Sequence, residues 1–150
     1  MLGELNSGQV EELLRSQLLG RIGCHADDMT LIVPVNYVYD GEYVYAHSRE
    51  GMKIKMMRQN PRVCFEVEEI ENMANWKSVI AWGEYEELNN EPLRSNAMQK
   101  LIKQLLPLIV SETALPSHGL GTKKVAVVYR IRLTKKIGRF ERKTIMSSIG

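Results

Sequence analysis

The sequence predicts a mainly β chain in which about six short antiparallel strands form a closed or partly closed barrel with flanking helices. Three observations predict it. Apolar residues alternate with a period of two in about six stretches, but follow a helical period in only three. Asp40-Gly41 joins two of the alternating stretches directly, as a hairpin turn does. No regular helix separates successive strands, as a doubly wound parallel sheet would require.

The first element is a helix. Asn6 or Ser7 can cap it, Val10, Leu13, Leu14 and Leu18 form one apolar stripe, and Gly20 is a natural stop. From Arg21 the period becomes two. Ile22 and Cys24 lead to a turn at Asp27-Asp28, and Leu31, Val33, Val35, Tyr37 and Tyr39 alternate beyond it. Pro34 lies in this second strand and cannot donate to a ladder, which places the strand at an edge or bulge. After Asp40-Gly41 comes the strand Tyr43–His47, then a helix from about Ser48 to Asn60. Val63, Phe65 and Val67 alternate next, followed by a long strand from about Trp76 to Leu88 with Trp76, Ser78, Ile80 and Trp82 on one side. Asn89-Asn90-Glu91-Pro92 opens a helix in which Leu93, Ala97, Leu101 and Leu105 recur every four residues. Pro107 and Pro116 bracket a segment whose pattern decides little. Lys124–Leu133 is the last strand, with Val125, Val127, Tyr129, Ile131 and Leu133 on one face and Arg130 and Arg132 on the other. The reading is one domain over 1–140 and a polar tail over 141–150.

Charge narrows the function. Twenty basic and 18 acidic residues give a formal net charge of +2, which argues against a nucleic-acid binder working by bulk charge. Cys24 and Cys64 make no metal spacing and read as buried free thiols of a reducing compartment. No signal peptide and no apolar run long enough for a membrane span is visible, so the expectation is a cytoplasmic protein.

The densest motif is Tyr43-Val-Tyr-Ala-His-Ser-Arg-Glu-Gly-Met-Lys53. A strand hands over to a helix start that carries serine, glycine and lysine. Ser48 can cap the first turn, Gly51 lets a ligand approach, and Lys53 adds a positive charge about one turn on. Such a turn can hold a phosphate; the alternative is an ordinary strand-to-helix connection with a solvated lysine. His47 at the strand end is either a proton donor or acceptor at a site or a strand-end hydrogen-bonding residue. His25 beside Asp27-Asp28 reads as a solvated turn rather than a metal site, and His118 says little. Trp76 and Trp82 could stack on a ring or pack in a core or interface. The eight methionines need no cofactor, Met52, Met56 and Met57 on the helix after Ser48 can fill core, and Glu84, Glu86, Glu87 and Glu91 read as a solvated strand end and helix start. No dinucleotide fingerprint, P-loop or nucleophile–base pair is present.

The motifs Pro34-Val-Asn-Tyr37, Tyr45-Ala-His-Ser48 through Gly51-Met-Lys53, Asn60-Pro-Arg-Val-Cys-Phe65, Trp76-Lys-Ser-Val-Ile-Ala-Trp-Gly83 and Ile137-Gly-Arg139 resemble the pyridoxamine 5′-phosphate oxidase-like FMN-binding split barrels. More narrowly they look like the nitroimidazole-resistance branch. The resemblance implies a homodimer of six-stranded antiparallel split barrels with FMN in a groove at each subunit boundary. It implies that Ser48 and Lys53 meet the FMN phosphate, that Pro34, Val35 and Asn36 line the isoalloxazine, and that Ser78 and Val79 sit under the same groove; on the motif reading Gly51 lets the phosphate approach and His47 as a site residue would face the flavin edge or a substrate. The tail after Phe140 shows no clear counterpart of the basic substrate-binding segment of the larger oxidases, which speaks against pyridoxamine phosphate as substrate. The leading reading is an FMN-dependent oxidoreductase, with His47 as its catalytic residue, that reduces a small electron-poor acceptor such as a nitro compound or quinone from a nicotinamide donor. The alternatives are a non-catalytic flavin module and a haem-binding split barrel with His47 as ligand.

Overall fold

The computed structural model describes residues 1–105 and 127–143. The expected segment between Pro107 and Pro116, His118, the strand start at Lys124 and Val125, and the tail beyond 143 lie outside the described residues. Among the described residues eight strands form one antiparallel sheet: β1 (Leu2–Glu4), β2 (Leu19–Ala26), β3 (Met29–Asn36), β4 (Val38–Tyr39), β5 (Tyr43–Ser48), β6 (Arg62–Asn72), β7 (Asn75–Glu87) and β8 (Val127–Arg142). The three described helices are α1 (Ser7–Ser16), α2 (Met52–Gln59) and α3 (Glu91–Leu105). The hydrogen-bonded order is β3-β2-β6-β7-β8-β5-β4, and β1 pairs with β8. Val35, Tyr39, Ala46, Phe65, Val67, Ala81 and Tyr129, drawn from six strands, share one buried cluster, so the sheet curls round its own core as a barrel.

The six longer strands are those the alternation predicts; the two short ones are additional. β4 exists because the strand expected from Leu31 to Tyr39 breaks at Tyr37. There the backbone N–H donates to Leu18 O at 3.0 Å and the buried hydroxyl donates to Leu14 O at 2.7 Å. β1 is added by three register pairs to β8, Leu2–Glu141 to Glu4–Arg139. That pairing carries β8 into the stretch assigned to a polar tail. Pro34 stands on β3, an end strand of the sheet, where its missing N–H costs no ladder bond to a further strand.

α1 opens with a complete capping box: Gln9 N donates to Asn6 Oδ1 and Asn6 N to Gln9 Oε1, both at 2.9 Å. It ends at Ser16, four residues before Gly20. Gly20 belongs to β2, where a Cβ would stand 2.5 Å from Phe65 Cζ; close packing on that ring, not helix termination, requires glycine there. Val10, Leu13 and Leu14 press α1 onto the barrel core, and Ile54, Met56 and Met57 do the same for α2. α3 buries Ala97, Leu101 and Leu105 against Tyr45 and Val128 on the outer side of β5 and β8. Leu93, expected on that stripe, is exposed. Asp27 and Asp28 both adopt positive φ (51° and 62°) in the β2–β3 hairpin, the backbone of a tight primed turn. Cys24 is buried, but Cys64 faces outward and is only half-buried, because it sits on the opposite face of β6 from Val63 and Phe65. No described helix is long and apolar enough to cross a membrane.

Candidate functional site

The turn from β5 into α2 is built differently from the sequence expectation. Ser48 does not cap the helix. It is the last residue of β5, paired with Val127, and its hydroxyl donates to Arg49 O at 2.7 Å. The N-cap is Gly51, in extended backbone, with no side-chain hydrogen bond to the first turn and no acidic residue in that turn. The first intrahelical bond runs from Lys55 N to Gly51 O at 3.2 Å, so the amides of Met52, Lys53 and Ile54 precede the ladder. α1, by contrast, has its own carbonyl cap. An uncapped first turn without a carboxylate carries the positive end of the helix dipole and unsatisfied donors.

Lys53 is the second residue of that turn. It is half-buried, and no carboxylate pairs with it among the described residues. Burial pushes its pKa below the ordinary lysine value, opposed by the neighbouring Cys24. Burial likewise pushes the Cys24 thiol up, against the pull of Lys53. A partly desolvated ammonium without a counter-ion, beside free helix amides, is suited to an anion.

Two sets of contacts fix this turn. At the far end of α2, Asn60 Nδ2 donates to His25 O at 2.8 Å and Gln59 Nε2 to Asp27 Oδ1 at 2.7 Å, tying the helix to the β2–β3 hairpin. On the other side Arg58 grips Glu50 with two bonds, at 2.7 and 2.9 Å, and Glu87 of β7 at 2.8 Å. Sequence reasoning missed this clamp. Had the helix begun at Ser48, positions 50 and 58 would lie about two turns, or ~12 Å, apart; Glu50 reaches Arg58 because it stands in the loop before the helix.

The remaining expected residues fall in two other places. Pro34, Val35 and Asn36 stand at the end of β3, with Pro34 and Asn36 exposed and Val35 buried. Ser78 is on the outward face of β7, opposite Glu68 and Arg139, and is separated from β3 by β2 and β6. Val79 is fully buried in the core, so its side chain cannot border an external groove. His47 is half-buried at the end of β5, opposite Val128 and on the same face as Tyr43 and Tyr45. His25 is bonded through Nδ1 to Thr30 Oγ1 at 2.9 Å across the hairpin.

The outward face of the sheet carries an apolar strip that one barrel leaves in water. Ile32, Ile80, Trp82 and Ile137 are 67, 36, 38 and 43 % exposed. A groove of about 610 Å³ opens beside them, bordered by Ile32, Arg62, Cys64, Trp82 and Glu84. The two tryptophans expected on one side are both there: Trp82 borders the groove and Trp76 donates to Glu141 Oε2 at 3.0 Å.

Fold and site together define an antiparallel barrel of six main strands, with an uncapped helix start that carries a half-buried lysine, and an apolar outer face. The sequence profile of the pyridoxamine 5′-phosphate oxidase family matches residues 6–140, and the chain belongs to that family. An uncharacterised protein of Rhizobium meliloti is 41% identical over 70 residues, 47% of this chain. The match spans 46% of that relative, so the chain covers about half its length. Among solved structures, an FAD-binding protein from Mesorhizobium loti is 30% identical, with a TM-score of 0.73 over 93% of this chain and 98% of that one. The FAD-binding protein of Mycobacterium smegmatis is 24% identical, with a TM-score of 0.71 over 95% and 100%. A candidate 5-nitroimidazole antibiotic resistance protein from Bacteroides thetaiotaomicron is 16% identical, with a TM-score of 0.69 over 93% and 87%. The last two likenesses show the fold alone, the split barrel.

Proposed function

We propose that this chain binds a flavin nucleotide, with FMN as the expected form, and uses it to reduce a small electron-poor acceptor such as a nitro compound or a quinone. The observation that carries the reading is Lys53, half-buried beside the uncapped start of α2 and without a carboxylate partner among the described residues. The residues fit the group. Lys53 and the amides after Gly51 would take the phosphate; the Ser48 hydroxyl, which donates to Arg49 O at 2.7 Å, would join them only by turning from that bond. FMN and FAD share the phosphate next to the ribityl chain, so the FAD-binding description of the Mesorhizobium loti relative is compatible with the same anion site.

The rest of the expected site is spread over one chain, with Pro34 and Asn36 at the β3 end and Ser78 on β7, two intervening strands away. That spread supports a homodimer in which Ser78 is supplied across the subunit boundary. The exposed strip of Ile32, Ile80, Trp82 and Ile137 is the surface such a partner would cover. Bound flavin would supply the redox chemistry, taking electrons from a nicotinamide donor and passing them to the acceptor. The chain would anchor the phosphate, exclude water with the apolar strip, and present His47 as a proton donor or acceptor at the end of β5. The cytoplasm, where thiols such as Cys24 and Cys64 stay reduced, suits this role.

The test is the absorption spectrum of the purified protein, before and after titration with FMN and FAD. A bound flavin spectrum, bleached by a nicotinamide donor without air and restored by a nitro or quinone acceptor, is the expected result. A haem Soret band, or no retention of either flavin, overturns the reading. Bound flavin that no donor reduces leaves a non-catalytic module.

A further inference from the structure

We propose that Arg58 holds Glu50 away from Lys53, so that the anion site at the start of α2 stays open to a ligand instead of being closed by the chain's own carboxylate. The inference rests on the reading of that turn as a phosphate site. Glu50 stands one residue before the N-cap Gly51 and three before Lys53. It is the acidic residue nearest to Lys53 along the chain, and two attractions would draw it in. One is the ammonium of Lys53, partly desolvated and without a carboxylate partner among the described residues. The other is the uncapped helix start, where a carboxylate is favoured.

The structure shows Glu50 engaged elsewhere. Arg58 Nη1 donates to Glu50 Oε2 at 2.9 Å and Nη2 to Oε1 at 2.7 Å, a bidentate pair. The same guanidinium donates from Nε to Glu87 Oε1 at 2.8 Å, and Tyr85 donates its hydroxyl to that oxygen at 2.7 Å. Glu87 and Tyr85 are both on β7, so the clamp is anchored on a strand of the barrel and draws Glu50 toward it. The Glu50 side chain is 57% exposed, and exposed pairs of this kind add little to stability. What the clamp does determine is where a carboxylate next to the anion site resides.

The experiment compares FMN with riboflavin, which lacks the phosphate, in equilibrium titrations read by flavin fluorescence. The quantity is the ratio of the two dissociation constants in the parent, Arg58→Ala, Arg58→Ala with Glu50→Gln, and Lys53→Ala. Arg58→Ala is expected to cut the preference for FMN about three- to tenfold, because a freed Glu50 competes with the phosphate. Adding Glu50→Gln is expected to restore the preference although the clamp is still missing. A turn that had merely loosened would stay as weak in the double variant. An unchanged ratio in Arg58→Ala, or no recovery in the double variant, overturns the inference. If Arg58→Ala fails to fold, Arg58→Gln keeps the aliphatic stem and serves in its place. Lys53→Ala separates the two claims. If it shifts the ratio and Arg58→Ala does not, only the clamp is refuted; if neither shifts it, the phosphate reading itself fails.

Discussion

Replacing Glu66 by glutamine is expected to make the protein more stable above neutral pH and to leave it unchanged in acid. Glu66 lies on the outward face of β6, where Arg21 Nη1 is 3.3 Å from its Oε1 and 2.9 Å from Oε1 of Glu68. One cation thus serves two carboxylates. Burial pushes the Glu66 pKa up from 4.5 to about 6, Glu68 pushes in the same direction, and Arg21 opposes both. The folded state therefore favours the protonated acid. Its contribution is complete below about pH 4.5 and is lost as pH rises through about 6, where the folded protein must carry a carboxylate it disfavours. A shift of that size corresponds to at most ~2 kcal/mol. Solvent screening of this partly exposed group reduces that bound, and glutamine keeps an oxygen for Arg21 while removing the charge, so it should recover about 0.5–1 kcal/mol at about pH 8 and nothing at about pH 4. Urea unfolding of parent and variant at a series of pH values and one protein concentration measures the difference. A variant less stable than the parent at about pH 8 would refute the reasoning, because it would show that the Glu66–Arg21 attraction outweighs the burial and the repulsion from Glu68.

Trp82→Glu is expected to give a folded monomer that no longer retains flavin, since it places a charge in the exposed strip formed with Ile32, Ile80 and Ile137. Sedimentation together with circular dichroism checks this, and a dimer that keeps its flavin contradicts it. His47→Ala is expected to reduce turnover by ~10²–10⁴ while changing FMN affinity far less, if His47 supplies a proton to the reaction. Steady-state kinetics and an FMN titration on the same preparation measure both, and full activity on every acceptor the parent uses would make His47 structural.

Much of the fold is legible in the sequence because burial here follows a strict period. In β7 the even positions Trp76, Ser78, Ile80 and Trp82 face outward, while Val79, Ala81 and Tyr85 are buried. What stayed hidden depends on contacts distant in sequence. The three residues of β1 show no alternation of their own and become a strand through pairing with β8. The break at Tyr37 is fixed by Leu14 and Leu18, which lie about twenty residues earlier in the chain. The sequence places the start of α2 too early because Ser48 is a good capping residue by type, yet its hydroxyl bonds to Arg49 and the helix begins only after Gly51. The phosphate contact proposed for Lys53 does not require a cap at Ser48. The position of Lys53 near the first free amides depends on the helix starting just before it, and the observed start at Met52 places it closer to them. The resemblance implies that Ser78 and Val79 share one groove, but neighbouring residues of a strand point to opposite faces, and the Val79 side chain lies in the core. The Arg58 clamp depends on a loop conformation that no spacing rule describes.

The measurement that tests the central claim most directly is the preference of Lys53→Ala for FMN over riboflavin, compared with that of the parent. Losing one charge-assisted contact to the phosphate should cost roughly 1.5–3 kcal/mol, about ten- to a hundredfold in FMN affinity. Riboflavin, without the phosphate, should bind both proteins alike, so the ratio should fall by the same factor. A ratio that does not move would contradict the account: the half-buried lysine at the start of α2 would then be holding no phosphate.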